Sequence, residues 1–381
     1  MAQNNFFPQL VYSFFSKLFS VKENKSVEIG TPKKILIIRP HNQLGDLLAG
    51  VSLLRAVKET FPECRLTLIV SPFNYTGLVK NKFIDRLAVF DKLKIYNPLY
   101  FIRFYRLLKE EYDLAVVPVT VSISFTSNLI ARISSSKIRI GPNSLNGKEN
   151  KSAFFFDRRV NIDWRKHPDS NVSERSLDIL RPFGINTKDY RSEISFDEND
   201  VQAAKSFLES LPIADKTRHE KFSSEAKIFL IGFHTGAGKI PNRWSLDKYI
   251  QLMNELIERY PVKFYLTGST SDKEEISYIK SRSAFDAGLF INRKIPEVAA
   301  LISLSDLFIS NDTGIMHVAG ATETPQISIF GPTNPFNWAP VGKNKYFIRK
   351  SELIDDVSVS DVFEMCTGIL DGKRNEINYA E

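Results

Sequence analysis

The chain has 381 residues, of which 43% are hydrophobic and 25% charged, and this length predicts two ordinary domains, each with its own core. Its net charge of +7 is spread along the sequence, which fits anionic small molecules or an anionic membrane surface and argues against nucleic acid, because nucleic acid needs a dense basic stripe. Its two cysteines, Cys64 and Cys366, exclude a disulfide framework and a cysteine–histidine metal site, so a cytoplasmic location is expected.

An amphipathic helix is predicted near the N-terminus, over residues 6–19. Its apolar side chains form two neighbouring rows, the first of Phe6, Leu10, Phe14 and Leu18 and the second of Phe7, Val11 and Phe15. The segment is too short to span a bilayer and lacks the basic leader and cleavage site of a secretory signal. Two interpretations stay open: the helix lies on a membrane as a peripheral contact, or it packs on the protein's own surface.

The first domain is predicted to start, after a polar linker at residues 22–33, with a strand–helix–strand unit. Apolar runs at residues 34–39 and 65–70 have strand character, and the apolar residues from Leu44 to Val57 repeat as one face of a helix. The alternation continues through residues 87–90, 114–119 and 138–141, whereas the polar residues 142–158 are expected to form a loop. This pattern indicates a doubly wound α/β domain.

The second domain repeats this pattern after a charged, non-periodic stretch at residues 211–227, which is interpreted as the linker. Strands are expected at 228–233 and 262–267, and helices at 246–260, 272–280, 296–304 and 357–370.

A strand-to-helix break within residues 307–331 is the strongest candidate site. The apolar run there stops at Asn311, Asp312 and Thr313, which favour turns and helix starts. Gly314 then permits close approach, and the free amides of a helix N-terminus suit a phosphate. The alternative is a capped connection that binds nothing.

A second loop is expected beside this break. The apolar residues 326–330 predict a strand, and it ends in a Gly/Pro-rich turn at residues 331–335. Open α/β sheets bind ligands outside the carboxyl ends of their strands, so two loops at one edge favour a binding site.

Several common ligand motifs are absent. The glycines and lysines at 232–239 and 141–148 have the spacing G-x5-G-K, whereas a P-loop needs four intervening residues and a following Ser or Thr. No G-x-G-x-x-G follows the first strand, which argues against a dinucleotide oxidoreductase. No H-E-x-x-H, EF-hand loop or nucleophile elbow occurs either, so the sequence implies neither a metal nor another cofactor.

The segment NDTGIMHVAG, followed by FGPTNP and preceded by HTGAG and NRW, resembles the C-terminal half of the heptosyltransferases, glycosyltransferase family 9. These are bacterial inverting glycosyltransferases with the GT-B fold, in which two Rossmann-like domains face a cleft. The resemblance implies an acceptor-binding domain at residues 34–215 and a nucleotide-sugar-binding domain at 216–350, with an N-terminal segment at 1–33 and a C-terminal helix and tail at 351–381.

The Gly45-Asp46 pair after the first strand matches a Gly-Asp pair of this family, whose aspartate resembles a catalytic base. An inverting transfer needs a base, because the acceptor hydroxyl must lose its proton as it attacks the anomeric carbon. A carboxylate near a helix N-terminus stays ionised in the field of the helix dipole. The alternative is that Asp46 only caps the helix.

The resemblance also implies the donor-binding residues. They are Thr235, Gly236, Lys239, Arg243, Asp272, Asp312, Thr313, Gly314 and His317. Asp272 is the candidate ribose ligand, with helix capping as the alternative. One position departs from the family pattern, since Asn242 stands where a lysine is common.

The expected function is transfer of heptose from ADP-heptose to a lipopolysaccharide-core acceptor, a glycolipid, at the inner face of the cytoplasmic membrane. Two alternatives remain. One is a GT-B glycosyltransferase that uses another nucleotide sugar and another glycan acceptor. The other, suggested by Asn242, is a nucleotide-sugar-binding homologue without activity.

Overall fold

The computed structural model describes residues 14–215, 220, 222–223 and 226–372. They form two compact units, which divide between Tyr190 and Arg191. Each unit is built on one β-sheet with its own buried apolar core.

The first sheet is parallel at its centre. Its strands among the described residues are β1 (Lys34–Arg39), β2 (Arg65–Val70), β3 (Arg86–Val89), β4 (Tyr112–Val116), β5 (Ser136–Leu145), β6 (Lys148–Glu149) and β7 (Arg158–Ile162). Their order is β3-β2-β1-β4-β5-β6, and β7 pairs with β5 in parallel. Ile37 of β1 lies opposite Leu68 and Val116. Helices cover both faces of such a sheet, so its central strands are continuous apolar runs.

The loop expected over residues 142–158 is wrong in part. β5 continues to Leu145, β6 pairs back on it in antiparallel fashion, and β7 begins at Arg158. The turn between β5 and β6 uses positive φ angles of 50° at Asn146 and 79° at Gly147. The polar composition misled the prediction because β6 is an exposed edge strand, whose side chains reach solvent.

Helices of the first unit connect its strands. They are α1 (14–19), α2 (Leu44–Ala49), α3 (Val51–Thr60), α4 (Tyr75–Leu78), α5 (Pro98–Leu108), α6 (Phe125–Ile133) and α7 (Val172–Arg175). The short helix α2 follows β1 after a four-residue loop, which fixes the position of Asp46.

Helix α1 contains the described part of the predicted N-terminal helix, and residues 6–13 lie outside the described range. Phe15 packs on the rings of Phe125 and Phe155, with centroids 5.5 and 6.4 Å away. Phe14 and Leu18, from the other apolar row, are 61% and 59% exposed. Among the described residues, Phe15 of one row therefore packs on the protein, whereas Phe14 and Leu18 of the other row reach solvent.

The second sheet is parallel throughout its described strands. These are β8 (Phe229–His234), β9 (Val262–Gly268), β10 (Ala287–Ile291), β11 (Leu307–Asn311), β12 (Gln326–Ile329) and β13 (Lys345–Ile348), in the order β10-β9-β8-β11-β12-β13. Its helices are α8 (Glu198–Glu209), α9 (Leu246–Arg259), α10 (Lys273–Arg282), α11 (Ile295–Ser303), α12 (Gly314–Gly320), α13 (Pro335–Trp338) and α14 (Val359–Leu370). The reversal of strand order between β8 and β11 creates the switch point at which such sheets bind ligands.

Helix α8 belongs to the second unit, although the sequence analysis assigns residues up to 215 to the first domain. Its Phe207 ring lies 4.9 Å from that of Phe290 and 6.4 Å from that of Tyr265. Leu211 reaches Gly288 of β10 so closely that a Cβ there would lie 2.2 Å from the leucine Cδ1. These apolar contacts place the division ahead of α8.

Candidate functional site

Asp46 lies in the first turn of α2, after the four-residue loop that follows β1, and is 7% exposed. The N-cap position of α2 is Gln43, and no side chain caps this helix through a hydrogen bond. Asp46 is therefore not the capping residue of its helix. Burial raises the pKa of its carboxyl, and the charge of Arg39 partly opposes that rise.

Arg39, the last residue of β1, is the cation beside this carboxylate. Its Nη2 lies 3.9 Å from Asp46 Oδ2 and donates a 2.6 Å hydrogen bond to Thr120 Oγ1. Its Nε is buried and has no hydrogen-bond partner among the described residues. The guanidinium thus supports the charge of Asp46 without a direct hydrogen bond that would occupy the carboxylate oxygen. A buried carboxylate held in this way can accept a proton.

At the carboxyl edge of the second sheet, Asn311 ties three segments together. This fully buried residue ends β11, and its Nδ2 donates to the Thr235 carbonyl at 2.8 Å. Its Oδ1 accepts bonds from the Tyr249 hydroxyl at 2.9 Å and the Trp244 amide at 3.3 Å. The HTGAG loop after β8, the NRW segment and the NDTG turn are consequently held in one arrangement.

Asp312 joins a fourth segment to this group. Asn242 donates from Nδ2 to Asp312 Oδ2 at 2.9 Å, and the Thr333 hydroxyl of the FGPTNP turn also bonds this carboxylate. Burial raises the pKa of Asp312, while the Thr333 bond and the charge of Lys239 lower it. The departure from the family pattern at Asn242 thus lies inside the site, where it contributes a neutral amide. The exposed Lys239 is near enough to act on the same carboxylate.

Helix α12 starts directly after this turn. Thr313 is its N-cap residue, with extended backbone and no side-chain capping bond. Thr313 and Gly314 are half-buried, and without a capping side chain the first amides of this helix can donate to a bound acceptor. His317 is 5% exposed and lies against Trp338, with ring centroids 6.3 Å apart. Burial lowers its pKa to about 4, so near neutral pH His317 is uncharged and cannot bind phosphate as a cation.

Gly236 and Asp272 meet on the other side of the HTGAG loop. A Cβ at Gly236 would lie 2.2 Å from Asp272 Oδ1, so a larger residue there would displace the Asp272 carboxylate. Asp272 Oδ2 accepts the Ser269 amide at 2.7 Å, which is the capping role that the sequence left open. Asp272 therefore caps with one oxygen and turns the other toward the loop.

Arg243 already has partners within the protein, which limits its capacity to bind a phosphate. Its Nε donates to the Ala237 carbonyl at 2.8 Å, and its Nη1 lies 2.5 Å from Glu275 Oε1. Together with Thr235, Trp244 and Tyr278 it lines a pocket of ≈ 290 Å³. The pairing with Glu275 neutralises much of the positive charge that a diphosphate would require.

Most predicted residues of the second unit meet at this one edge, whereas His317 points into the core. Sequence reasoning gave no role to Asn311 and Thr333, whose side chains form bonds that only the fold creates. The sequence contains a local signal for both residues, because each is a polar residue at the turn after an apolar run. No group of three or more His, Cys, Asp or Glu suited to a metal occurs in the described parts of the chain.

Comparisons with known proteins bear on this arrangement. A family model described as glycosyltransferase family 9 (heptosyltransferase) matches residues 101–362. Lipopolysaccharide heptosyltransferase 3 of Escherichia coli K12 is 24% identical over 318 residues, covering 79% of this chain and 83% of that protein.

Two solved structures share the fold. The glycosyl transferase family 9 protein from Veillonella parvula aligns with a TM-score of 0.75 and 18% identity, over 91% of this chain and 100% of that one. The E. coli heptosyltransferase WaaC with ADP aligns with a TM-score of 0.67 and 15% identity, over 88% and 99%. The predicted class, a GT-B fold of two Rossmann-like domains, is confirmed.

Proposed function

The chain belongs to glycosyltransferase family 9, the heptosyltransferases, and we propose from that premise that it transfers heptose from ADP-heptose to a lipopolysaccharide-core acceptor with inversion of configuration. That the chain is a glycosyltransferase follows from its family, as the sequence analysis expects. The donor, the acceptor and the roles of individual residues are the proposal. The name of the E. coli relative supports the acceptor, and the presence of ADP in the WaaC structure supports the nucleotide.

The observation that carries the proposal is the bonded cluster of loops at the carboxyl edge of the second sheet. Asn311 holds the HTGAG loop, and Asp312 holds Asn242 and the FGPTNP turn. A diphosphate needs several backbone amides fixed in one place, since fixed donors stabilise charge without reorganising. The amides after Thr313, with Thr235 and Gly236, are proposed to bind it, and the free side of Asp272 to accept a ribose hydroxyl.

Lys239 is proposed to supply the positive charge on the leaving diphosphate. Asn242 is neutral, and Arg243 is paired with Glu275. Lys239 is exposed, and its charge already acts on Asp312. A lysine three positions earlier in the chain would thus replace the one that the family commonly carries at 242. This arrangement favours an active enzyme over a binding protein without activity.

Asp46 is proposed as the general base. As the acceptor oxygen forms its bond to the anomeric carbon, the bond from that carbon to the diphosphate oxygen breaks, and ADP leaves with the electron pair. The hydroxyl proton passes to the Asp46 carboxylate. Burial raises the pKa of this carboxyl, and the charge of Arg39, at 3.9 Å, opposes that rise and so favours the ionised form.

A peripheral location on the inner membrane face is proposed because the acceptor core is a glycolipid. Within the described residues, no helix is both long and apolar enough to cross a bilayer. The exposed row of α1, with Phe14 and Leu18, supports contact with a membrane surface.

Calorimetric titration with ADP, UDP, GDP and CDP tests the donor site. We expect ADP to bind best, and Thr313→Val to weaken ADP about tenfold, since a hydrogen bond to a charged group contributes about 1.5 kcal/mol or more. Thr367→Val, a half-buried threonine of α14, is the matched control and should bind ADP normally. Preference for another nucleotide would exclude ADP-heptose, and no binding of any nucleotide would refute the site.

A further inference from the structure

Helix α5 exposes an unusual outer face. Its inner residues Phe104, Leu107 and Leu108 lie in the core of the first unit. On the outer side, apolar side chains reach solvent both in α5 and in the loop before it. They are Leu93 and Tyr96 at 90% exposure each, Leu99 at 69%, Phe101 at 47%, and Ile102 and Tyr105 at 44% each. A surface helix normally carries polar residues on that side, so this apolar patch calls for a partner.

Cations are interleaved with these apolar residues, and no acidic residue occurs between positions 92 and 109. The exposed cations of the stretch are Lys92, Lys94, Arg103, Arg106 and Lys109. Of the acidic residues that flank the stretch, Asp91 has a side chain only 15% exposed and lies 3.8 Å from Lys94, Glu110 is paired with Arg86 at 2.6 Å, and Glu111 is exposed. The outer face of α5 therefore combines large apolar groups with net positive charge. This is the chemistry of helices that lie in the headgroup region of anionic membranes.

The end of α5 adjoins α1 through a pocket of ≈ 450 Å³. Phe19 from the end of α1 and Tyr105 and Lys109 from α5 line it, together with Arg132 and Arg139. Arg132 Nε donates to the Phe19 carbonyl at 2.6 Å, and Lys109 Nζ to the Ile133 carbonyl at 2.8 Å. Both cations are thereby held at the pocket by backbone acceptors. The pocket links the outer face of α5 to α1, whose Phe14 and Leu18 are also exposed.

We propose that the outer face of α5, the loop at residues 92–97 and the exposed row of α1 form one docking surface for an anionic phospholipid bilayer. The apolar side chains enter the boundary between headgroups and acyl chains, and the cations contact lipid phosphates. Charge complementarity selects this occupant, because a second copy of the chain would bring another positively charged face against the first. The inference rests on the peripheral location proposed above and adds the surface and the class of lipid. Vesicle binding needs neither donor nor acceptor, so its failure is distinguishable from a failure of the proposed reaction.

Vesicle co-sedimentation of the full chain tests the proposal. Binding is expected to vesicles that contain phosphatidylglycerol, to be weaker on pure phosphatidylcholine, and to fall as salt is raised. Leu99→Ser with Phe101→Ser and Ile102→Ser should lower the partition coefficient at least tenfold. Arg103→Gln with Arg106→Gln should lower it about tenfold or more on anionic vesicles alone, because each cation near such a surface contributes about 1 kcal/mol.

Lys280→Gln with Arg282→Gln is the matched control. It removes two exposed cations from α10 of the second unit and should leave vesicle binding unchanged. All changes are at exposed positions, so the thermal transition should also be unchanged. Equal losses in the α5 and α10 variants would overturn the proposal, because binding would then follow net charge alone. A dimer in sedimentation velocity that the Leu99, Phe101 and Ile102 variant abolishes, without vesicle binding by the wild type, would overturn it in favour of a second copy.

Discussion

The two candidate sites differ in how fully their buried polar groups are bonded. In the second unit, Asn311 bonds to the HTGAG loop, to Trp244 of the NRW segment and to Tyr249 of α9, and Asp312 bonds to Asn242 and to the FGPTNP turn. In the first unit, Asp46 has Arg39 at 3.9 Å, and the Nε of Arg39 has no partner among the described residues. The first site thus has a buried carboxylate without a direct hydrogen bond from its neighbouring cation, whereas the buried polar side chains of the second site are bonded to neighbouring segments.

This difference separates a binding scaffold from a reactive group. Bonds between loops fix where the donor amides lie, so their loss should reduce stability and donor affinity together. A buried, weakly paired carboxylate lowers stability and is retained for its chemistry. Changes at four positions should separate the two roles.

Asp46→Asn should have the largest effect. Turnover of ADP-heptose should fall about 10²- to 10⁴-fold with the loss of a general base, while the calorimetric Kd for ADP stays the same. Burial raises the pKa of Asp46 above its unfolded value, so the stability associated with this group is lost as pH rises through the folded pKa. At neutral pH the variant should therefore be as stable as the wild type or more stable. Parallel losses of stability and activity would instead indicate a structural role.

Asn311→Leu should lower both the stability of the protein and its affinity for ADP, which Asp46→Asn should leave intact. It leaves the Thr235 carbonyl, the Tyr249 hydroxyl and the Trp244 amide without their partner. We expect the free energy of unfolding to fall by about 3 kcal/mol, since each buried unpaired group costs about 1–3 kcal/mol, and ADP binding to weaken with it. Denaturant unfolding measures the first and calorimetry the second. The control Asn254→Leu, a half-buried position in α9, should change stability by less than about 1 kcal/mol. Unchanged ADP affinity in a destabilised Asn311→Leu protein would show that the hydrogen bonds of Asn311 do not position the groups that bind ADP.

Lys239→Gln tests whether Lys239 takes the role of the lysine that the family commonly carries at position 242. We expect kcat to fall about tenfold, as for the loss of one charged contact to the leaving group, and Asn242→Lys added to this variant to restore part of it. Lys343→Gln, at an exposed loop position, should leave kcat unchanged. Steady-state kinetics with ADP-heptose distinguishes these outcomes, and an inactive double variant would argue against the replacement of one lysine by the other.

Arg39→Gln should have the smallest effect, which is a shift in the pH dependence of the rate. The base must be ionised, so activity is lost as pH falls through the pKa of Asp46, which burial holds above that of an ordinary aspartate. Arg39→Gln removes the charge that opposes this rise, so the acidic limb of kcat should move to higher pH. An unmoved limb would mean that Arg39 does not act on the base.

Local signals explain what the sequence predicted well. Strand β11 and the turn after it combine an apolar run with Asn311 and Asp312, and the structure has the strand at Leu307–Asn311. The family and the GT-B class are confirmed through such ordered motifs. The roles of individual site residues stay predictions.

Other features depended on contacts between distant residues. Asp312 bonds to Thr333 and Asn242, which lie elsewhere in the chain, and α8 packs on distant strands of the second sheet. The local sequence pattern does not predict the approach of Arg39 to Asp46 either. The strands after residue 142 were hidden because edge strands carry polar side chains.

Heptose transfer itself is the most direct test of the proposed function. The purified chain is incubated with ADP-heptose and a lipopolysaccharide core that lacks the terminal heptose, and the acceptor is examined by mass spectrometry and the new linkage by NMR. We expect one added heptose per ADP released, with inverted anomeric configuration, and product formation by Asp46→Asn that is slower by about 10²-fold or more. An unchanged acceptor with intact ADP-heptose, or a product of retained configuration, would contradict it.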